Sequence, residues 1–284
     1  MRKLHVGCAM WSHATWPGRH MPQPLPQRER LRAYSTFCNA VEGNTTFYAT
    51  PTPETVRSWV EQTEPDFRFI LKLPRPVTHD RRLTNVEEPV RAFLNVIEPL
   101  GTRVHALWVQ LPPSFGPADM SALAAFLHRM PRKHRYAVEV RHIAFYESRR
   151  WEQSLSGLLN EFGAEWVNFD STVMFATPPT TDDEREAWVK KPRLPRRAHV
   201  LTEHPVVRFI GRDDEKLTVD GWQPWLDVVA GWLREDRSPT VFIHTPNNMD
   251  APILARRFHD EVRALVPELE LLPEPIPAGP PTLF

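Results

Sequence analysis

The stretch AVEGNTTFYATPTPETVRSWVEQTEPDFRFILKLP, residues 40–74, reads as strand, helix, strand. AVEGNTTF (40–47) and FRFILKLP (67–74) are short runs rich in β-branched and aromatic residues, as strands are. PETVRSWVEQT (53–63) has a helical pattern, with Pro53 suited to a first turn. Two strands joined through a helix form the parallel unit of α/β proteins. In the first strand Glu42, Asn44 and Thr46 fall on one face by period-two geometry. That face is either wet or lines a polar cavity.

Outward from this unit the pattern repeats. Further strands are expected at LHVGCAM (4–10), VHALWVQLP (104–112), YAVEVRH (136–142), EWVNFDS (165–171), VVRFIGR (206–212) and TVFIHTP (240–246). Helices are expected at 28–37, 87–100, 119–130, 151–163, 222–235 and 251–265, with Pro89 in a first turn and Gly163 at a helix end. Eight strands alternating with helices point to an α/β fold, a (β/α)8 TIM-like barrel over residues 1–270. An open doubly wound sheet is the runner-up, but no GxGxxG turn occurs. PEPIPAGPPTLF (273–284) is too proline-rich for a helix or central strand, so 271–284 is read as an extended tail. Long connections follow the first strand (11–27) and the sixth (177–205), on the face where a barrel builds its site.

Composition narrows the function classes. With 35 Lys and Arg against 35 Asp and Glu, the zero net charge argues against a surface built wholly for nucleic acid or membrane. Cys8 and Cys38 are too few for a disulfide framework or a cysteine metal cage, and free thiols fit a reducing compartment. MRKLHVGCAMW turns polar before a signal-peptide core forms, and no apolar run reaches bilayer length, so a cytoplasmic protein is expected. The sequence leaves the oligomeric state open.

Strict alternation along the strands lines up polar groups near their ends. They are Glu42 and Asn44, Lys72 with Arg68, Gln110, Glu139 and Arg141, Asn168 and Asp170, Arg208, and His244. The opposite phase, Val41, Leu71, Val109, Val138, Val140, Phe169, Phe209 and Ile243, is apolar and suits covering helices. Unpaired charges cost several kcal/mol to bury, so the polar set must pair, hold water or meet a ligand. An ion network that satisfies itself would give the same pattern. As a site, Lys72, Arg141 and Arg208 suit a phosphate or carboxylate, and Glu42 and Glu139 suit proton exchange. Asp170 or His244 would orient a partner, and Asn44, Gln110 and Asn248 would bond hydroxyls. Trp11, Trp16, Phe47, Tyr48 and Phe115 follow strand ends and could stack on a sugar or base; packing between loops is the plainer reading. No cofactor is expected. Glu42, Glu139, Asp170 and His244 could ligate a divalent metal, but neighbouring cations disfavour it.

Three functions fit this pattern. The first is an acid/base enzyme acting on a small anionic, sugar-like ligand. The second is a metal-dependent phosphodiesterase resembling endonuclease IV, with the basic run KKPRLPRR (190–197) touching nucleic acid, though a solvated loop is the simpler account of that run. The third is a non-catalytic binding protein. His79, alone in a loop, suits a surface or capping role.

Taken together, G-x-x-x-W (7–11), V-E-x-N-T-T-F-Y (41–48), F-R-F-x-x-K (67–72), T-H-x-x-x-L (78–83), Q-L-P-P-S-F (110–115), E-x-R (139–141), D-S (170–171), V-R-F-I-G (207–211) and H-T-P-N-N (244–248) occur in order. From about residue 5 to about 265 the chain resembles the domain-of-unknown-function-72 (YecE-like) family. The resemblance implies a TIM barrel and no established reaction. Gly43 and Ile210 depart from the family pattern, so a strand-seven histidine has no counterpart here.

Overall fold

In the computed structural model, residues 3–276 are described. Among the described residues, nine short strands form two parallel sheets. The first sheet has the order β1 (His5–Cys8), β9 (Thr240–His244), β8 (Val206–Ile210), β7 (Asn168–Asp170). The second runs β2 (Ala40–Gly43), β3 (Arg68–Lys72), β4 (Val104–Gln110), β5 (Tyr136–Glu139), β6 (Glu165–Trp166). The expected sixth strand is therefore two strands. Its middle residue, Val167, donates its N–H to Val138, after which the chain joins the other sheet.

One continuous ladder of eight strands is not formed. Between β1 and β2, side chains stand where backbone pairs would. Tyr34 Oη accepts from Cys8 N at 2.7 Å and donates to Ala40 O at 2.8 Å. Asn39 accepts from Val6 N at 2.7 Å and donates to Leu4 O at 2.9 Å. These bonds satisfy backbone groups that a ladder would otherwise pair. The two strands still press together: a Cβ on Gly7 would stand 2.0 Å from Ala40 O.

The sheets enclose a shared apolar layer of Ala40, Ile70, Ala106, Trp108, Ala137, Val167, Val206 and Phe242. Trp108 stacks on Phe242 across the sheets at 5.9 Å. The opposite phase, including Val41, Leu71, Val109, Val138, Phe209 and Ile243, packs in the larger core with the helices. Those helices are α1 (Arg30–Tyr34), α2 (Thr45–Tyr48), α3 (Pro53–Glu61), α4 (Glu87–Ile97), α5 (Met120–Arg129), α6 (Ala144–Glu147), α7 (Arg149–Phe162), α8 (Asp182–Lys190), α9 (Glu215–Arg234) and α10 (Ala251–Leu265). None is long and apolar enough to cross a membrane.

Local chemistry sets the boundaries. Gly163 ends α7 in the left-handed region (φ 62°), which a residue without Cβ adopts freely. The strand expected over 40–47 stops at Gly43, and α2 follows. Asn44 and Thr46 thus leave the face of Glu42. α9 begins before its expected start because Asp214 caps it, accepting from Leu217 N at 2.8 Å. It runs through Pro224 while Trp222 and Trp225 on either side are buried. The long 177–205 connection contains α8. The expected tail is described only to residue 276, where Arg256 bonds Pro273 O and Ile276 N bonds Thr36; residues 277–284 lie outside the described residues.

Candidate functional site

Strict alternation brings Lys72, Gln110 and Glu139 to the carboxyl ends of β3, β4 and β5, with Glu42 one residue short of the end of β2 and Arg208 in the middle of β8, all buried. Glu42 lies between two cations, with Lys72 Nζ 2.7 Å from Oε1 and Arg208 Nε 2.7 Å from Oε2. Burial pushes the Glu42 pKa up, but Arg208 and Lys72 more than offset this and hold it at about 2. Lys72 also donates to Gln110 at 2.7 Å and sits 5.0 Å over Trp108. Burial, reinforced by Arg208, lowers the Lys72 pKa to about 8 against the pull of Glu42. Glu42 is thus held as an anion between the two cations.

Arg141 Nε meets Glu139 Oε1 at 2.5 Å, while Glu139 Oε2 is buried without a hydrogen-bond partner. Burial raises the Glu139 pKa, but Arg141, Lys72 and Arg208 bring it below the ordinary carboxylate value. All three expected cations are therefore ion-paired, and the cluster is in part a network that satisfies itself. The pairs use only the Nε atoms of Arg141 and Arg208. Among the described residues, their terminal nitrogens make no hydrogen bond. Both guanidinium groups lie over Phe169, at 5.9 and 5.8 Å.

Those contacts reverse the expected phase of one strand. Phe169 faces the cations, and Asn168 and Asp170 face outward. Asp170 accepts from Trp225 Nε1 at 2.7 Å and from Thr172 N and Oγ1 at 2.8 and 2.5 Å. Asn168 is bonded to the backbone of His199. Asp170 is a fastening for α9 and the following turn, not a member of the charged cluster. The polar residues on this strand suit the outer face because a helix indole and loop backbone supply partners.

The other expected residues divide similarly. His244 is buried at the end of β9, its ring beside the Asn248 side chain. Burial, then Lys191, Arg208 and Lys72, keep its ring neutral, well below the usual range. Asn248 (φ 53°) closes the turn after β9, with its buried side chain against His244. Asn44 donates to Ala9 O at 2.9 Å, tying the ends of β1 and β2. Tyr48 is 78% exposed and lies near Arg208. Trp11 instead packs on Trp59 at 5.3 Å, lining a cleft of about 770 Å3 beside α3. Trp16 and Phe115 are fully buried and Phe47 nearly so, which leaves packing as their role.

Lys191 was visible in the sequence only as part of a basic run. It is partly buried and acts on Arg208, Glu42, Arg141 and Lys72, with its own pKa lowered to about 7 by burial and Arg208. Among the described residues it has no ion pair. The rest of the run is largely engaged within the fold: Lys190 with Glu186, Arg193 over Phe175, and Arg197 on Glu152 and over Trp166 at 4.0 Å. His79 meets Phe47 edge-to-face at 4.9 Å, its pKa lowered to about 4 by burial and Arg141. Its neighbourhood is thus the site rather than open surface. Among the described residues no three His, Cys, Asp or Glu side chains are grouped to hold a metal ion.

The sequence profile of the family described as "Protein of unknown function DUF72" matches residues 5–279. The UPF0759 protein YecE of Escherichia coli K12 is 36% identical over 270 residues, covering 95% of this chain and 96% of the relative. A DUF72 family protein of Thermotoga maritima MSB8 superposes with a TM-score of 0.71 at 22% identity, over 92% of this chain and 100% of that one. Another, from Enterococcus faecalis V583, gives 0.69 at 17% identity, over 94% and 96%. These structural likenesses speak to the fold.

Proposed function

The chain belongs to the DUF72 family of proteins of unknown function, and from that premise we propose that the two sheets act as one (β/α)8 barrel whose charged rim is an acid/base active site for a small anionic, sugar-like substrate. The observation that carries this reading is the surplus of positive charge. Lys72, Arg141, Arg208 and Lys191 act on one another around only two carboxylates, Glu42 and Glu139. Without an anion the cluster keeps uncompensated charge among buried and partly buried groups, which is costly. The terminal nitrogens of Arg141 and Arg208 and the ammonium of Lys191 would hold a phosphate or carboxylate group, the arginines through their planar forks.

Two groups are fitted to move protons. Lys191, with its pKa near 7, can give up or take a proton at neutral pH. Glu139 has an oxygen, Oε2, free to accept one. His244 is neutral and suits hydrogen bonding rather than proton storage. Glu42 and Lys72 set the frame, and Gln110 holds Lys72 in place.

Crystals soaked in sulfate are expected to show density between Lys191, Arg141 and Arg208. Calorimetry should show binding weakened about tenfold or more by Lys191→Met, the usual scale for losing a charged hydrogen bond. No density and no measurable binding would remove the proposal. A non-catalytic binding protein would use the same groups; it predicts that Glu139→Gln keeps ligand affinity and biological effect alike. The phosphodiesterase reading gains no support, since the basic run is largely engaged within the fold.

A further inference from the structure

At the opposite end of the strands lies a second polar cluster that the proposed chemistry does not use. His5 begins β1, Arg68 begins β3, His105 is in β4, Arg135 precedes β5 and His204 precedes β8. A register shift between β3 and β4 pairs Phe69 with Val104 and Ile70 with Ala106, leaving His105 as an extra residue. Such bulges re-aim side chains. Here His105 sits between two other imidazoles, 4.8 Å from His5 and 5.1 Å from His204, ring centre to ring centre.

The partners of this cluster are incomplete. His5 and His105 are 4% and 5% exposed. Both ring nitrogens of His5, Nε2 of His105 and Nδ1 of His204 are buried with no hydrogen bond. Arg68 bonds only the carbonyls of Pro65 and Phe67, and Arg135 only His105 Nδ1, at a long 3.5 Å. Neither arginine has an ion pair among the described residues. All five line a cavity of about 640 Å3 that Lys3 also reaches; of the nearby carboxylates, Glu98 faces Lys133 at 3.9 Å, Asp66 faces Lys3 at 3.9 Å and Glu203 faces Arg237 at 3.8 Å.

Unpartnered buried imidazole nitrogens beside guanidinium groups without ion pairs suit an anion. A metal ion would meet the repulsion of Arg68 and Arg135. We propose that this cavity is an anion site for the phosphate group, as free phosphate or a phosphomonoester, gripped by Arg68 and Arg135 with imidazole N–H groups of His5, His105 and His204 completing the shell. The three imidazoles are held neutral by burial, and the arginines add to that effect, so an arriving dianion would favour their protonation.

Imidazole NMR of histidine-labelled protein tests this, with His5, His105 and His204 assigned by His→Gln variants. Inorganic phosphate and phenyl phosphate are titrated separately at constant ionic strength. Saturable shifts of these three rings are expected, and their pKa values should rise. His244 reports the other end of the strands independently, so binding there cannot be mistaken for binding here. Arg135→Gln should weaken the effect about tenfold or more, with folding checked by circular dichroism and Arg135→Lys as the milder variant. A response to phenyl phosphate but not phosphate assigns the site to monoesters. Rings that do not move with either probe, that move equally with chloride, or that respond only to zinc would overturn the proposal.

Discussion

Glu42 and Glu139 are both buried carboxylates beside cations, yet they differ in what remains free. Both oxygens of Glu42 lie at 2.7 Å from a cation, Oε1 as an ion pair without a hydrogen bond, whereas Glu139 pairs through Oε1 and its Oε2 has no hydrogen bond. Glu42→Gln leaves Lys72 and Arg208 without their countercharge and should cost about 3–5 kcal/mol of stability, read as a lowered denaturant midpoint. An unchanged midpoint would show the pair to be incidental. Alternation made seven of these positions legible: Glu42, Lys72, Gln110, Glu139, Arg141, Arg208 and His244. It failed at Asp170, because parity alone does not say which face is inner. It could not reach Lys191, which lies just past α8 in a segment without strand periodicity.

At the scale of elements, the segment carrying Lys191 is fastened by an ion pair that alternation does not single out. Arg212 and Glu184 join at 2.7 Å with side chains 1% and 2% exposed. Arg212 also donates to Thr177 and Pro178, and Glu184 accepts from Thr180 N and Asp213 N. Removing one partner of such a buried pair costs about 3–5 kcal/mol. Glu184→Ala should therefore loosen α8, seen as new proteolytic cleavage within 177–205 and a reduced affinity for sulfate. Cleavage identical to the parent protein would mean that α8 is held by other contacts. The helices themselves were readable from periodicity and caps. The short strands were readable in place, but the switch of sheets at Val167 was not, since nothing in EWVNFDS marks a change of partner.

For the molecule as a whole, the histidine cluster makes stability depend on acid. Burial, then Arg68, Lys3, His204 and Arg135, lower the His5 pKa from 6.5 to about 3. Burial and Arg135, opposed by Glu203, lower His204 from 6.5 to about 4. The folded protein keeps these rings neutral, while the unfolded chain takes up protons below its ordinary value. Their contribution is fully present above about pH 6.5 and is lost progressively as pH falls toward 4 and then 3. A loss on the order of a few kcal/mol is expected over that window. Thermal melts from pH 7 to pH 4 should show it, and a His5→Gln variant should show a shallower decline. Equal slopes would mean that His5 does not carry the effect.

By itself the sequence determined the alternation of strands and helices, the apolar faces the helices cover, and the polar residues at strand ends, because these follow from periods of 2 and 3.6 within one segment. Tertiary structure alone decided which carboxylate is locked and which oxygen is free, that Lys191 joins the cluster, that Tyr34 and Asn39 bridge β1 and β2, and that three histidines meet at the far end. Those outcomes depend on distances between residues far apart in the chain, and on a bulge and a one-residue strand break that periodicity does not encode.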